Sequence, residues 1–129
     1  MKKNKMICII DDDPLFIEGT KTIIDMSGIK SEYIVYYNGE DAMKALSEKI
    51  NNSEALPDII FLDINMPIMD GWQFLSAFSK LIQNKSVTIY VVSSSINQND
   101  ISKAKSFKCV IDYIEKPISF DVLDKILSN

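Results

Sequence analysis

Histidine and arginine are both absent from these 129 residues. Without histidine the chain cannot run a Ser-His-Asp or Cys-His mechanism, cannot ligate a metal through imidazole, and cannot itself carry a phosphohistidine. Its cations are 14 lysines, scattered along the sequence against 18 acids, for a net charge of −4. That scatter argues against sequence-independent nucleic-acid binding, which needs a clustered basic surface. Cysteine is limited to Cys8 and Cys109, both in apolar stretches. Two reduced core thiols are expected there, not a disulfide or a metal site. No apolar run is long enough to span a membrane. The basic start, Met1 to Lys5, precedes only about five apolar residues before Asp11, too few for a signal-peptide core. A cytoplasmic protein is expected.

The rest of the composition is ordinary: 47% hydrophobic and 25% charged residues. Such a composition and length fit one globular domain over residues 1–129, with residues 1–4 as a flexible tail. Short apolar runs alternate with amphipathic stretches. Strands are expected at Met6–Ile10, Glu32–Tyr37, Asp58–Leu62, Val87–Val92 and Val110–Ile114. The first helix is expected to begin at Pro14, capped by Asp13, and to end at Ser27-Gly28. The second runs from Asn38 to Ile50, with Asn38 and Asp41 in capping-box spacing and Ala42, Ala45, Leu46 and Lys49 on one face. The third comes after Gly71 and buries Phe74, Leu75, Phe78 and Leu81. The fourth, from about Asn99 to Phe107, buries Ile101 and Ala104; the last is capped by Ser119 and turns Leu123, Ile126 and Leu127 inward. Residues 51–57 form a loop. Strands alternating with helices imply a doubly wound α/β domain with a mostly parallel five-stranded sheet and five helices.

Ligands of such sheets bind at the carboxyl ends of the strands. Asp11, Asp12 and Asp13 come directly after the first strand, Asp63 after the third, Ser93 after the fourth and Lys116 after the fifth. Each has an ordinary structural role available. An acidic run can cap a helix, Asp63 can form a turn before Pro67, Ser93 can begin a serine-rich turn, and Lys116 can be a solvated charge. Their convergence on one edge favours chemistry. Clustered carboxylates repel one another and raise their own pKa values unless a cation collects them. An all-oxygen donor set points to Mg²⁺, which keeps several waters and accepts a phosphate oxygen.

Four pieces in order resemble the receiver domain of two-component response regulators over nearly the whole chain. They are Ile9-Ile10-Asp11-Asp12-Asp13-Pro14, Phe61 to Gly71 (FLDINMPIMDG), Val91-Val92-Ser93-Ser94 and Tyr113-Ile114-Glu115-Lys116-Pro117. The resemblance implies a flavodoxin-like sheet of order 2-1-3-4-5. It implies that Asp63 accepts a phosphoryl group from a histidine kinase or histidine phosphotransfer protein. By the same resemblance Asp11 and Asp12 hold Mg²⁺, Asp12 directly, and Asp63 and the backbone carbonyl of Asn65 complete the protein's ligands. Lys116 pairs with a phosphoryl oxygen, and Ser93 moves to donate to another. Tyr113 then turns inward, changing a face of helix four, strand five and helix five that meets a downstream protein. The Lys116-Pro117 bond is implied to be cis, Asn65 and Ser95 to influence the lifetime of the phosphoaspartate, and Asp13 only to cap a helix.

Two features depart from the family pattern. Ser93 and Ser94 stand where threonine and a small apolar residue are commoner, and the loop of residues 51–57 is longer than usual. Trp72 is explained by packing. A phosphatase of the haloacid-dehalogenase type would need a second aspartate two residues after its nucleophile, where Asn65 stands, and a nucleophile after the first strand. A flavin carrier of the same fold would avoid negative charge where this chain has three aspartates. A receiver-like fold that merely mediates contacts would have lost an acid or the lysine. The residues after Pro117 suffice for one helix, so the expected output is protein contact or phosphoryl relay, without enzymatic activity or direct nucleic-acid binding.

Overall fold

The computed structural model describes residues 5–82 and 86–128; the expected tail over residues 1–4 lies outside them. Five parallel strands, β1 (Lys5–Ile10), β2 (Ser31–Tyr36), β3 (Ile59–Leu62), β4 (Thr88–Ser93) and β5 (Val110–Glu115), form one sheet in the order β2-β1-β3-β4-β5. Five helices connect and flank them: α1 (Pro14–Met26), α2 (Gly39–Asn51), α3 (Gly71–Leu81), α4 (Gln98–Lys105) and α5 (Phe120–Ser128). The expected flavodoxin-like architecture is the observed one.

The strands are apolar throughout because both faces of the sheet are covered. Successive side chains point to opposite faces, and the core divides accordingly. Ile7, Ile9, Ile59 and Phe61 pack with Phe16, Ile17, Ile24, Leu123 and Leu127 of α1 and α5. Cys8, Ile10, Ile60 and Leu62 pack on the other side with Ala42, Leu46, Phe74, Phe78 and Ala104 of α2, α3 and α4. Both cysteines are free thiols, Cys8 buried and Cys109 half-buried. No described helix is long and apolar enough to cross a membrane.

The strand β5 carries one residue too many for its neighbour. Ile89 pairs with Val110, but Tyr90 pairs with Asp112, so Ile111 bulges out of the ladder and is 58% exposed. As a result Val110 and Tyr113, three positions apart, both pack on the side of α2, α3 and α4.

Caps account for most helix starts. Asp13 Oδ1 accepts from the Leu15 N–H at 3.0 Å, and Pro14 occupies the first turn, where its missing N–H costs nothing. At α2 the Asn38 Oδ1 accepts from the Asp41 N–H at 2.8 Å. The return bond there is between side chains, Asn38 Nδ2 to Asp41 Oδ2 at 3.2 Å, so the capping box is incomplete. The complete box lies at α3. Asp70 Oδ1 accepts from the Gln73 N–H at 2.9 Å, and Gln73 Oε1 accepts from the Asp70 N–H at 3.0 Å. Leu81, expected inside, is 41% exposed, and Ile82 is buried in its place at 5%. Ile82 lies four residues after Phe78 and donates its N–H to Phe78 O at 3.2 Å, so it continues the buried row of Phe74 and Phe78 while Leu81 falls to its exposed side.

The loop between β3 and α3 is tied down on both sides. The Gly39 N–H donates to Met69 O at 3.0 Å and the Gly71 N–H to Ile64 O at 2.8 Å. Within it Ile68 has φ +69°, an unusual conformation for a β-branched residue, under a tight Met69 N–H to Pro67 O bond of 2.8 Å. A Cβ at Gly71 would lie 2.5 Å from Asp63 O and 2.7 Å from Ile64 Cα, both backbone atoms that cannot swing aside. Gly71→Ala is therefore expected to destabilise the fold by about 1–3 kcal/mol. A urea midpoint equal to that of the wild type would contradict this close approach.

Candidate functional site

The sheet ladder fixes two aspartates at adjacent strand ends. The Asp11 N–H donates to Tyr36 O at 3.0 Å and the Asp63 N–H to Ile10 O at 2.9 Å, continuing the parallel pairing one residue beyond β1 and β3. Asp11 is 1% exposed and Asp63 5% exposed, whereas Asp12 lies open to solvent. One carboxylate oxygen from each of the three lies within 4.8 Å of the others. Asp13 turns away into the α1 cap.

Lys116 reaches into this cluster from the loop after β5, where the Lys116-Pro117 bond is cis. Its Nζ stands 2.8 Å from Asp11 Oδ2 and 3.7 Å from Asp63 Oδ2. Asp11 Oδ1 accepts from the Asp13 N–H at 2.9 Å. The buried Oδ2 has no hydrogen bond of good geometry and is met by the Lys116 ammonium as an ion pair. Burial outweighs that pairing: desolvation holds the Asp11 carboxyl above the usual carboxylate range despite the lysine. Asp63 is pushed up to about 6, first by desolvation and then by the charge of Asp11. The Lys116 charge and the amides of Asn65 and Ile64 pull it back only partly. Two buried, mutually repelling acids with one lysine between them are under-neutralised. A divalent cation held by oxygen ligands fits this set: one oxygen of each of the three carboxylates lies within 4.8 Å of the others, and exposed Asp12 leaves one side of the cluster open.

Ser93, at the end of β4, is completely buried, and its Oγ accepts from the Ser95 N–H at 3.1 Å instead of meeting Asp63. The half-buried Tyr113 donates its hydroxyl to Ser95 O at 2.7 Å. Ser93 and Tyr113 are thus joined through one residue. Ser95 Oγ in turn donates to Asp100 Oδ2 at 2.8 Å and accepts from the Asn97 N–H at 3.2 Å, fixing the loop to α4. Asn65 is exposed, two residues past Asp63, with its amide beside that carboxylate. Trp72 packs against the core with the Lys103 ammonium 4.6 Å from its ring centre.

Two contacts are not foreseeable from the sequence pattern. Asp100 holds the Ser95 hydroxyl, and Phe16 places its ring centre 4.6 Å from Lys116 Nζ. Asp100 has a weak signal, an acid in the first turn of α4 near a hydroxyl. Nothing in the pattern around Phe16 distinguishes it from a core residue of α1.

A family model described as the response regulator receiver domain matches residues 7–128. The chain belongs to that family. Among curated relatives of this receiver, the probable C4-dicarboxylate response regulator DctR of Bacillus subtilis is 29% identical over 128 residues. The transcriptional regulatory protein DegU of Brevibacillus brevis is 41% identical over 97 residues. The matches cover 99% and 72% of this chain but 53% and 36% of those proteins, so the chain spans about half or less of their length. A crystal structure of a two-component response regulator from Cytophaga hutchinsonii superimposes with TM-score 0.86 at 30% identity, covering 99% of this receiver and 96% of that chain. The crystal structure of a phosphorylated cyanobacterial phytochrome response regulator, RcpA, gives 0.76 at 26% identity, with 97% and 89% covered.

Proposed function

We propose that this receiver accepts a phosphoryl group on Asp63 from a histidine kinase or histidine phosphotransfer protein, with Mg²⁺ held by Asp11, Asp12, Asp63 and the Asn65 carbonyl. The observation that carries the proposal is the under-neutralised acid pair, Asp11 and Asp63, with exposed Asp12 beside it and Lys116 Nζ between them. A relative of similar fold has been crystallised phosphorylated, which supports the same chemistry here.

In the transfer, an Asp63 carboxylate oxygen attacks phosphorus. The phosphorus–nitrogen bond to the donor imidazole breaks, and an acyl phosphate forms. Bound among the aspartates, Mg²⁺ would neutralise charge on the phosphoryl oxygens. The chain's own residues do the rest. Lys116 shifts from Asp11 towards a phosphoryl oxygen, for which it is a point charge within short reach. The burial that raises the Asp63 carboxyl also leaves it poorly solvated as an anion, ready to exchange its neighbours for a phosphorus bond.

The switch uses the serine network. A phosphoryl group on Asp63 offers strong acceptors, and Ser93 Oγ turns to donate to one, releasing the Ser95 N–H. The bond from Tyr113 to Ser95 O then transmits the change to α4, β5 and α5. That face exposes Ile111, Phe120 and Val122, apolar groups suited to a protein partner. Within this receiver the result of phosphorylation is a changed face for protein contact or onward relay of the phosphoryl group.

The test is incubation of the intact protein with acetyl phosphate, with and without Mg²⁺, and measurement of the intact mass. A gain of one phosphoryl group that depends on Mg²⁺ is expected. Labelling undiminished by a chelator would overturn the metal assignment, and no labelling at all would overturn the acceptor.

A further inference from the structure

We propose that Phe16 is a positioning residue for Lys116, its ring face serving as the seat from which the ammonium works on Asp63. The inference rests on the phosphoacceptor role proposed above. Lys116 Nζ has three polar or aromatic neighbours among the described residues: Asp11 Oδ2 at 2.8 Å, Asp63 Oδ2 at 3.7 Å and the Phe16 ring centre at 4.6 Å. Its side chain is only 17% exposed, so water supplies little of its solvation. Both carboxylates are also the groups that a cation or a phosphoryl group would engage. When they are engaged, the lysine loses oxygens it now holds. The ring keeps its charge distribution through the whole exchange and competes for neither. Its negative face attracts an ammonium within about 6 Å of the centroid, most strongly where both are desolvated.

Phe16 is suited to this because it is held in the core. It is 8% exposed in the first turn of α1, packed with Ile17, Ile114, Ile118 and Leu123 beneath the site. Ile118, two residues after Lys116, belongs to the same buried cluster as Phe16. An aliphatic residue of similar volume would fill the core equally well but would give the ammonium no attractive ring face, leaving it to its 2.8 Å partner Asp11. The separation of the two functions of Phe16, packing and charge, is what makes the inference testable.

Site-specific replacement of Phe16 by phenylalanine bearing one, two or three ring fluorines weakens the negative ring face while retaining the ring shape. The pseudo-first-order rate of labelling by acetyl phosphate with Mg²⁺ is expected to fall stepwise along the series. Phe16→Leu should give a total loss of about five- to thirty-fold. In a Lys116→Ala background the same replacements should cause no further loss. By NMR, the Lys116 side-chain methylene protons next to Nζ should be shifted upfield by the ring in the wild type, and this shift should vanish in Phe16→Leu. Equal rates across the fluorinated series, with a slow Phe16→Leu, would show that Phe16 only packs and would overturn the inference while leaving Asp63 as acceptor. A wild type that takes no label would overturn both.

Discussion

Asp63→Asn is expected to abolish phosphoryl acceptance and, in the absence of added metal, to make the protein more stable. The first effect arises because an amide offers no anionic oxygen to attack phosphorus. The second arises from the burial of the carboxylate. Its pKa in the fold is about 6 against an ordinary value of 3.8, raised by desolvation and by Asp11. A raised acid favours the fold fully below its unfolded pKa and loses that contribution as pH rises through the folded one. At pH 7 the wild type therefore holds an unfavourable charge that asparagine does not. The gain for the variant should be on the order of 2 kcal/mol. It should shrink as pH falls from 7 to 4, as Asp63 takes up its proton in the fold. Thermal melts of the two proteins across that range check it, and added Mg²⁺ should narrow the gap by stabilising the wild type. A variant less stable than the wild type at pH 7 without metal would show that Asp63 is better neutralised than its surroundings indicate.

Lys116→Met is expected to act in the opposite direction on the fold and the same direction on the chemistry. Removing one partner of a buried ionic group leaves the other uncompensated, and here two acids lose their shared cation. The loss should be about 2–4 kcal/mol at pH 7, where Asp11 and Asp63 are asked to remain charged. It should be smaller near pH 5, because both carboxyls lie above the usual range and take up protons more readily once the lysine is gone. Urea unfolding at the two pH values measures the difference. Labelling by acetyl phosphate should fall at least tenfold, since no other described cation stands near Asp63 to meet the phosphoryl oxygens. A penalty independent of pH would mean that the lysine contributes through its methylene stem and not its charge.

Most of the fold is legible in the residues alone, because strands covered on both faces are apolar throughout and are separated by capped helices. Asp13, Pro14 and Asn38 mark their helix starts by chemistry that acts over a few residues. Leu81 departs from expectation for a reason of the same scale: after Phe78 helical spacing allows the inward position at either i+3 or i+4, and Ile82 takes it. The order of the strands is different in kind. Nothing local to β1 and β3 says that they are neighbours, so only the family resemblance supplies it. Once that order is granted, Asp11, Asp12, Asp63 and Lys116 fall together. The contacts that escape a reading of the sequence join distant parts of the chain through ordinary side chains. Phe16 reads as one more apolar residue of α1 until the loop after β5 brings an ammonium onto its ring. The Ser93, Ser95 and Tyr113 connections run through backbone N–H and carbonyl groups, which no residue letter encodes.

Ile111 supplies a last consequence. In an unbroken strand, residues three apart face opposite ways, so Val110 and Tyr113 could not share a side of the sheet. The extra residue resets the count part-way along β5, and from there to Glu115 the strand is out of step with its own beginning. Tyr113 meets the Ser95 carbonyl because of that miscount; in phase, its ring would lie against α5, remote from the loop that ends β4. The Tyr113 hydroxyl is thus aimed at the loop after β4 by the residue inserted before it, a spacer whose contribution is parity.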